Sequence, residues 1–90
     1  MSAVLAWNNE KNRELIRKHG FGFERIVVAL SEGHLLDDLQ HPNTRRYGHQ
    51  RQLIVLIEGY AYVVPYVETK DEVFLKTFFP SRKMTKHYLH

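Results

Sequence analysis

Two runs rich in β-branched and aromatic residues, Gln52-Leu53-Ile54-Val55-Leu56-Ile57 and Tyr60-Ala61-Tyr62-Val63-Val64-Pro65-Tyr66-Val67, are separated only by Glu58-Gly59. Apolar runs joined by a two-residue, glycine-containing turn dictate an antiparallel β-hairpin. A hairpin alone is marginal in water, so the rest of the chain must add strands and a helical cover. Thr69-Lys70-Asp71-Glu72 reads as a second turn, and Val73-Phe74-Leu75-Lys76-Thr77-Phe78-Phe79 as a third strand of the meander, ended by Pro80. Pro65 carries no backbone donor, which predicts a bulge or an unpaired edge position in the returning strand.

The N-terminal half supplies the cover. Residues 3–7 alternate weakly and suit a short first strand. Asn8 or Asn9 can cap a helix over Glu10–His19, which Gly20 stops. Phe21-Gly22-Phe23 bridges to a second helix, about Glu24–Glu32. Its Phe23, Ile26, Val27 and Leu30 recur at helical spacing as a buried face, widened by Val28 and Ala29. Gly33 ends it. Leu35–Leu39 extends briefly, residues 40–49 form the longest loop, and Ser81 or Thr85 caps a last short helix containing Lys86, His87 and Tyr88. The order β-α-α-β-β-β-(α) predicts one α+β domain over residues 1–90. Two helices cover one face of a small antiparallel sheet, and the opposite face is left partly open to a ligand or partner.

Several chemistries are excluded by residue type. The chain has no cysteine, so it forms no disulfide, thiolate metal site or cysteine nucleophile, which fits a reducing compartment. Six histidines show no zinc-like spacing with a third ligand, so no metal or other cofactor is expected. A phosphate-cradling glycine loop and a serine nucleophile elbow are absent. Asp37-Asp38 is a carboxylate pair, but neighbours on an extended segment point to opposite faces, which favours a turn or salt-bridge role over paired acid/base work. No run is long and apolar enough to span a bilayer, and the N-terminus lacks the pattern of a secretory signal. A cytoplasmic protein without membrane association is therefore expected.

Charge is uneven. Residues 1–40 hold five Lys/Arg against six Asp/Glu, and residues 41–90 hold eight against four. The bland account is solvated charge; the sharper one is an anionic partner for the second half. Lys76 lies in the expected third strand, Arg82, Lys83 and Lys86 follow it, and Arg51 precedes the first strand of the hairpin. Tyr47, His87 and Tyr88 flank them. Metal-free RNA cleavage needs such a set: a base for the 2′-hydroxyl, an acid for the leaving 5′-oxygen, and cations for the phosphorane-like transition state. Arg serves the last role with a planar fork and Lys with a point charge, while exposed aromatics stack bases. Trp7 reads as a core anchor, His19 as a helix-end charge and Pro80 as a strand stop.

Four segments carry a resemblance over nearly the whole chain. The first is Trp7-Asn8-Asn9-Glu10-Lys11-Asn12 with Lys18-His19-Gly20-Phe21-Gly22-Phe23-Glu24. The second is Leu35-Leu36-Asp37-Asp38 with His41-Pro42-Asn43. The third runs from His49-Gln50-Arg51 into a hairpin ending Val64-Pro65-Tyr66-Val67-Glu68. The last is Phe74-Leu75-Lys76-Thr77-Phe78-Phe79-Pro80-Ser81-Arg82-Lys83-Met84-Thr85-Lys86. Together they resemble the BrnT-like toxins of type II toxin–antitoxin modules, within the wider RelE/ParE-type toxin group. The resemblance implies a RelE-like fold and growth inhibition, usually by RNA cleavage. It also implies neutralisation by a ribbon-helix-helix antitoxin, in a heterotetramer or larger complex that reaches operator DNA through the antitoxin. It singles out Arg82 in the "S-x-R" ending and Arg51 before the hairpin. Lys76 or Thr77 stands where many relatives place an arginine, and at the hairpin end only Lys70 is nearby. The alternatives are a non-catalytic binding toxin or a gyrase-directed ParE-like toxin acting through protein contacts.

Overall fold

The computed structural model describes residues 4–43, 45–46 and 49–89. In chain order the elements are β1 (Val4–Trp7), α1 (Asn9–His19), α2 (Phe23–Ser31), β2 (Leu35–Gln40), β3 (Gln50–Ile57), β4 (Tyr60–Glu68), β5 (Glu72–Leu75), β6 (Phe79–Pro80) and α3 (Arg82–Leu89). The expected hairpin is β3–β4, paired antiparallel from Gln50↔Val67 to Ile57↔Tyr60. Its turn places Glu58 at φ 50° and Gly59 at φ 79°. Left-handed backbone at both central residues matches the twist of the flanking strands.

The strand order among the described residues is β1-β5-β4-β3-β2, with β6 also pairing β4. The sheet is mixed rather than antiparallel, because β1 pairs parallel with β5, Val4↔Glu72 to Trp7↔Leu75. A parallel pair requires a long crossover. Here most of the chain lies between the two strands, so no local pattern announces the pairing.

The expected third strand is also broken. Val73, Leu75 and Phe78 all pack in the core under α1 and α2. Strict alternation cannot bring both Leu75 and Phe78, three residues apart, to one face. The chain therefore leaves strand geometry between them and resumes as β6. Pro65 sits opposite this gap. It lies in the central strand β4, opposite Gln52, rather than on an edge. Its carbonyl accepts the Lys76 amide at 2.8 Å. The missing Pro65 N–H points the same way, toward the break, so no regular ladder bond is lost.

The helices follow their sequence signals. The Asn8 side chain accepts the Lys11 amide at 2.9 Å at the start of α1, and Gly20 closes it at φ 87°. At α2 the N-cap is Gly22, which has no side chain to cap with. Buried Asn12 of α1 substitutes: its Oδ1 accepts the Phe23 amide at 2.7 Å, and its Nδ2 donates to the Glu24 carboxylate. Phe23, Ile26 and Ala29 are fully buried, whereas Val28, expected on the buried face, is 45% exposed. Trp7 stacks on Phe23 with ring centroids 5.4 Å apart, as a core anchor should.

The sheet has two packed faces. Leu53, Val55, Val64, Tyr66 and Leu75 meet α1 and α2. Ile54, Ala61 and Val63 point the other way and meet Met84 and Tyr88 of α3. The face expected to be open is thus partly covered by the C-terminal helix. No helix among the described residues is long and apolar enough to cross a membrane.

Candidate functional site

The position of α3 follows from two hydroxyls. Ser81 Oγ accepts the Met84 amide at 3.1 Å, capping the helix, and the Ser81 amide donates to the Ala61 carbonyl at 2.9 Å. Thr85 Oγ1 donates to the Ser81 carbonyl at 2.7 Å and accepts the Ala61 amide at 2.9 Å. Both backbone groups of Ala61 are thereby tied to α3. Helix positions 82, 83, 86 and 87 remain exposed. Arg82, Lys83 and Lys86 make no hydrogen bond or ion pair with any described residue. α3 contains no carboxylate, so this cationic ridge is not neutralised from within its own helix.

A groove of about 620 Å³ lies between α3 and β2. Leu39, Met84 and the Tyr88 ring form its apolar part, Lys83 and Lys86 its cationic rim, and His87 also lines it. Its carboxylate is Asp37. The strand β2 has a register shift between Leu35 and Asp37: Leu35 pairs with Val55, but Asp37 pairs with Ile54. Without the bulge Asp37 would share the face of Leu35; with it, Asp37 turns to the α3 face and Asp38 to the opposite one. Tyr88 donates its hydroxyl to Asp37 Oδ2 at 2.5 Å, and the Asp38 amide donates to Asp37 Oδ1 at 2.8 Å. These bonds, Tyr88 first, hold Asp37 below its ordinary carboxylate value, with His87 adding to the effect. The same bond raises the Tyr88 phenol above its usual value. At neutral pH the pair is therefore an ionised acceptor and a neutral donor.

Asp38 serves the other face. It accepts the hydroxyl of buried Tyr66 at 2.9 Å and Arg51 Nε at 3.2 Å, and its carbonyl accepts Arg51 Nη2 at 3.1 Å. Burial, then the Asp38 bond, raises the Tyr66 phenol. The two neighbouring carboxylates do point to opposite faces, each holding one tyrosine.

The expected site residues are accordingly divided. Lys83, Lys86, His87 and Tyr88 converge on the groove. Arg82 lies one helical turn before Lys86, outside the lining. Arg51 is on the α1/α2 face, engaged by Asp38, and is separated from Arg82 by the sheet. Lys76 sits just beyond β5, exposed, with its ammonium 5.8 Å from the Phe74 ring centroid. Phe74 shares the α3 face through its partner Val67, but Lys76 does not line the groove. Tyr47 lies outside the described residues.

His19 differs from its reading as a helix-end charge. Its ring packs 5.2 Å from Phe78, with Phe21 and Tyr62 alongside, and its buried Nε2 has no hydrogen-bond partner. Burial, then Lys18, lowers its pKa, which opposes the charge that the helix end would favour. The residue that sequence reasoning missed is Asp37. A bulge leaves no mark in a six-residue strand, so the face of Asp37 was not readable.

Comparison of the chain with family models, with curated proteins and with solved structures finds no match in any of the three.

Proposed function

We propose that the protein is the toxin of a type II toxin–antitoxin module, a cytoplasmic, metal-independent ribonuclease of BrnT-like character on a RelE-like fold. The observation that carries this reading is the ridge Arg82-Lys83-Lys86, which makes no ion pair with any described residue, beside a groove with an aromatic wall. Unpaired cations next to a stacking surface suit single-stranded RNA, whose phosphates need charge and whose bases need a π-face. Arg82 stabilises the charge that develops on phosphate in the transition state. Tyr88 keeps its own proton, donated in the hydrogen bond to Asp37, so among the tail residues His87 is the better group for proton transfer; its ring stands 4.6 Å from that of Tyr88. The partner is a ribbon-helix-helix antitoxin that covers this basic face in a hetero-oligomer and carries the complex to operator DNA.

One observation favours a second reading. Arg51 is on the far side of the sheet from Arg82, so the three cations expected to act together do not meet. A non-catalytic toxin would bind RNA through the same ridge and inhibit by sequestration. Purified protein incubated with single-stranded RNA in EDTA separates the two. The ribonuclease reading expects cleavage that Arg82→Ala reduces by about a hundredfold or more, with the thermal midpoint unchanged. RNA binding without cleavage would establish the sequestering reading, and equal toxicity of wild type and Arg82→Ala would remove Arg82 from the mechanism.

A further inference from the structure

The α3 groove is chemically asymmetric in a way that a general anion site is not. Its rim is cationic through Lys83 and Lys86, yet a carboxylate held ionised stands within it. A simple anion would be attracted by the first and repelled by the second. A ligand that satisfies both must be anionic at one end and rich in hydrogen-bond donors at the other, with a flat apolar body between. The size of the groove, about 620 Å³, falls within the usual range for small-ligand sites. Leu39 and Met84 offer apolar contact, and Tyr88 a ring on which a planar group can stack.

Asp37 narrows the ligand further. It is delivered to the groove by the β2 bulge, a device that re-aims a single side chain. Each of its oxygens accepts one protein bond, from Tyr88 and from the Asp38 amide, which fixes the carboxylate plane. A carboxylate oxygen carries two lone-pair sites, so both oxygens retain acceptor capacity. Two parallel acceptors match two parallel donors. Guanine presents such a pair in its ring N–H and its exocyclic amino group. Adenine and cytosine set an acceptor nitrogen beside their amino group, and uracil flanks its ring N–H with two carbonyls, so each would place an acceptor against one carboxylate oxygen.

We propose that the groove binds one guanine nucleotide, with Asp37 as the specificity-determining residue that reads the base and Lys83 and Lys86 as phosphate contacts. This rests on the RNA reading for its biological substrate, but the binding itself is independent of cleavage. A guanine held here lies beside His87, with Arg82 one helical turn before Lys86 along the same ridge, so strand scission would occur near a guanosine.

The test is titration of the folded full-length protein with 3′-GMP, 3′-AMP, 3′-CMP and 3′-UMP, followed by calorimetry and by amide chemical shifts. GMP is expected to bind about tenfold or more tightly than the others, with shifts centred on β2 and α3. Asp37→Asn, which replaces paired acceptors by one acceptor and one donor, is expected to abolish that preference while leaving phosphate affinity. Tyr88→Phe, which keeps the carboxylate, should retain it, so a merely structural role of the Asp37–Tyr88 bond is distinguished. Lys83→Ala with Lys86→Ala should weaken all four nucleotides alike. Equal affinities for the four in the wild-type protein, or an Asp37→Asn variant that still prefers GMP, would overturn the proposal. RNA cleavage without guanine preference would sink it while sparing the ribonuclease reading; guanine binding without cleavage would do the reverse.

Discussion

Asn12 and Gly22 show how two inconspicuous residues become inseparable. Asn12 is only 7% exposed and caps α2 from the neighbouring helix. A β-carbon on Gly22 would stand 2.2 Å from Asn12 Oδ1 and 2.9 Å from Glu24 Oε1. Gly22 has φ −118°, so the constraint is space, not backbone strain. Gly22→Ala must break the Asn12 bond to the Phe23 amide or distort the helix junction. We expect a loss of about 2 kcal/mol, from overpacking and an unsatisfied buried amide, read from urea midpoints at constant slope. A change below the scatter of the measurement would mean that the junction yields freely. His19 gives the fold a dependence on pH. Its folded-state pKa is lowered, so the unfolded chain takes up the proton first as pH falls. Its contribution to stability is complete above about pH 6.5 and is lost as pH drops through the folded-state value. His19→Phe should flatten the fall in stability below about pH 6.5 relative to wild type; parallel profiles for the two proteins would assign that slope elsewhere.

Among the elements, α3 differs from α1 and α2 in having no buried side chain. None of its residues is fully buried, and it meets the sheet through Met84, Tyr88 and the polar clasp at Ala61. Thr85 is the hinge pin of that clasp because its one hydroxyl both donates and accepts. Thr85→Val preserves shape while orphaning the Ala61 amide, at an expected cost of about 1–2 kcal/mol. The informative readout is hydrogen exchange: the Ala61 amide should lose protection while amides in β3 keep theirs, since local opening of α3 leaves the main core intact. Loss of protection throughout the sheet would instead make α3 part of the global folding unit. The β2 sequence suggested a short extension after α2; its bulge gives each of its two carboxylates a tyrosine on a different face.

For the whole molecule, the sheet acts as a divider. Arg51 with Asp38 and Tyr66 belongs to the α1/α2 side, and Lys83, Lys86, His87 and Tyr88 belong to the α3 side. An RNA strand on the ridge would touch three cations, Arg82, Lys83 and Lys86. Each neutralised phosphate of a single strand contributes about −0.7 to the slope of log K against log salt, so the expected slope is about −2. Alanine at any one of the three should make it shallower by about 0.7, whereas Arg51→Ala should leave it unchanged. A slope that responds to Arg51 and not to Arg82 would move the RNA-binding surface to the opposite face.

The hairpin, the stop at Gly20 and the α+β class were legible from residue type, and the caps were narrowed to Asn8 or Asn9 and Ser81 or Thr85, because each depends on neighbours within a turn or a pleat; the fold selects Asn8 and Ser81. Periodicity also located most of the buried face of α2, and it correctly separated Asp37 from Asp38. Three features were decided only by tertiary contact. The parallel pairing of β1 with β5 joins residues almost seventy positions apart. The break at Lys76–Phe78 arises because Phe78 is drawn into the core beside Leu75. The division of the cations across the sheet depends on strand register and on a one-residue bulge. A slip of one residue exchanges faces while leaving composition and local propensity the same, so a basic C-terminal surface is readable from residue types, whereas the set of groups that share it depends on the folded register.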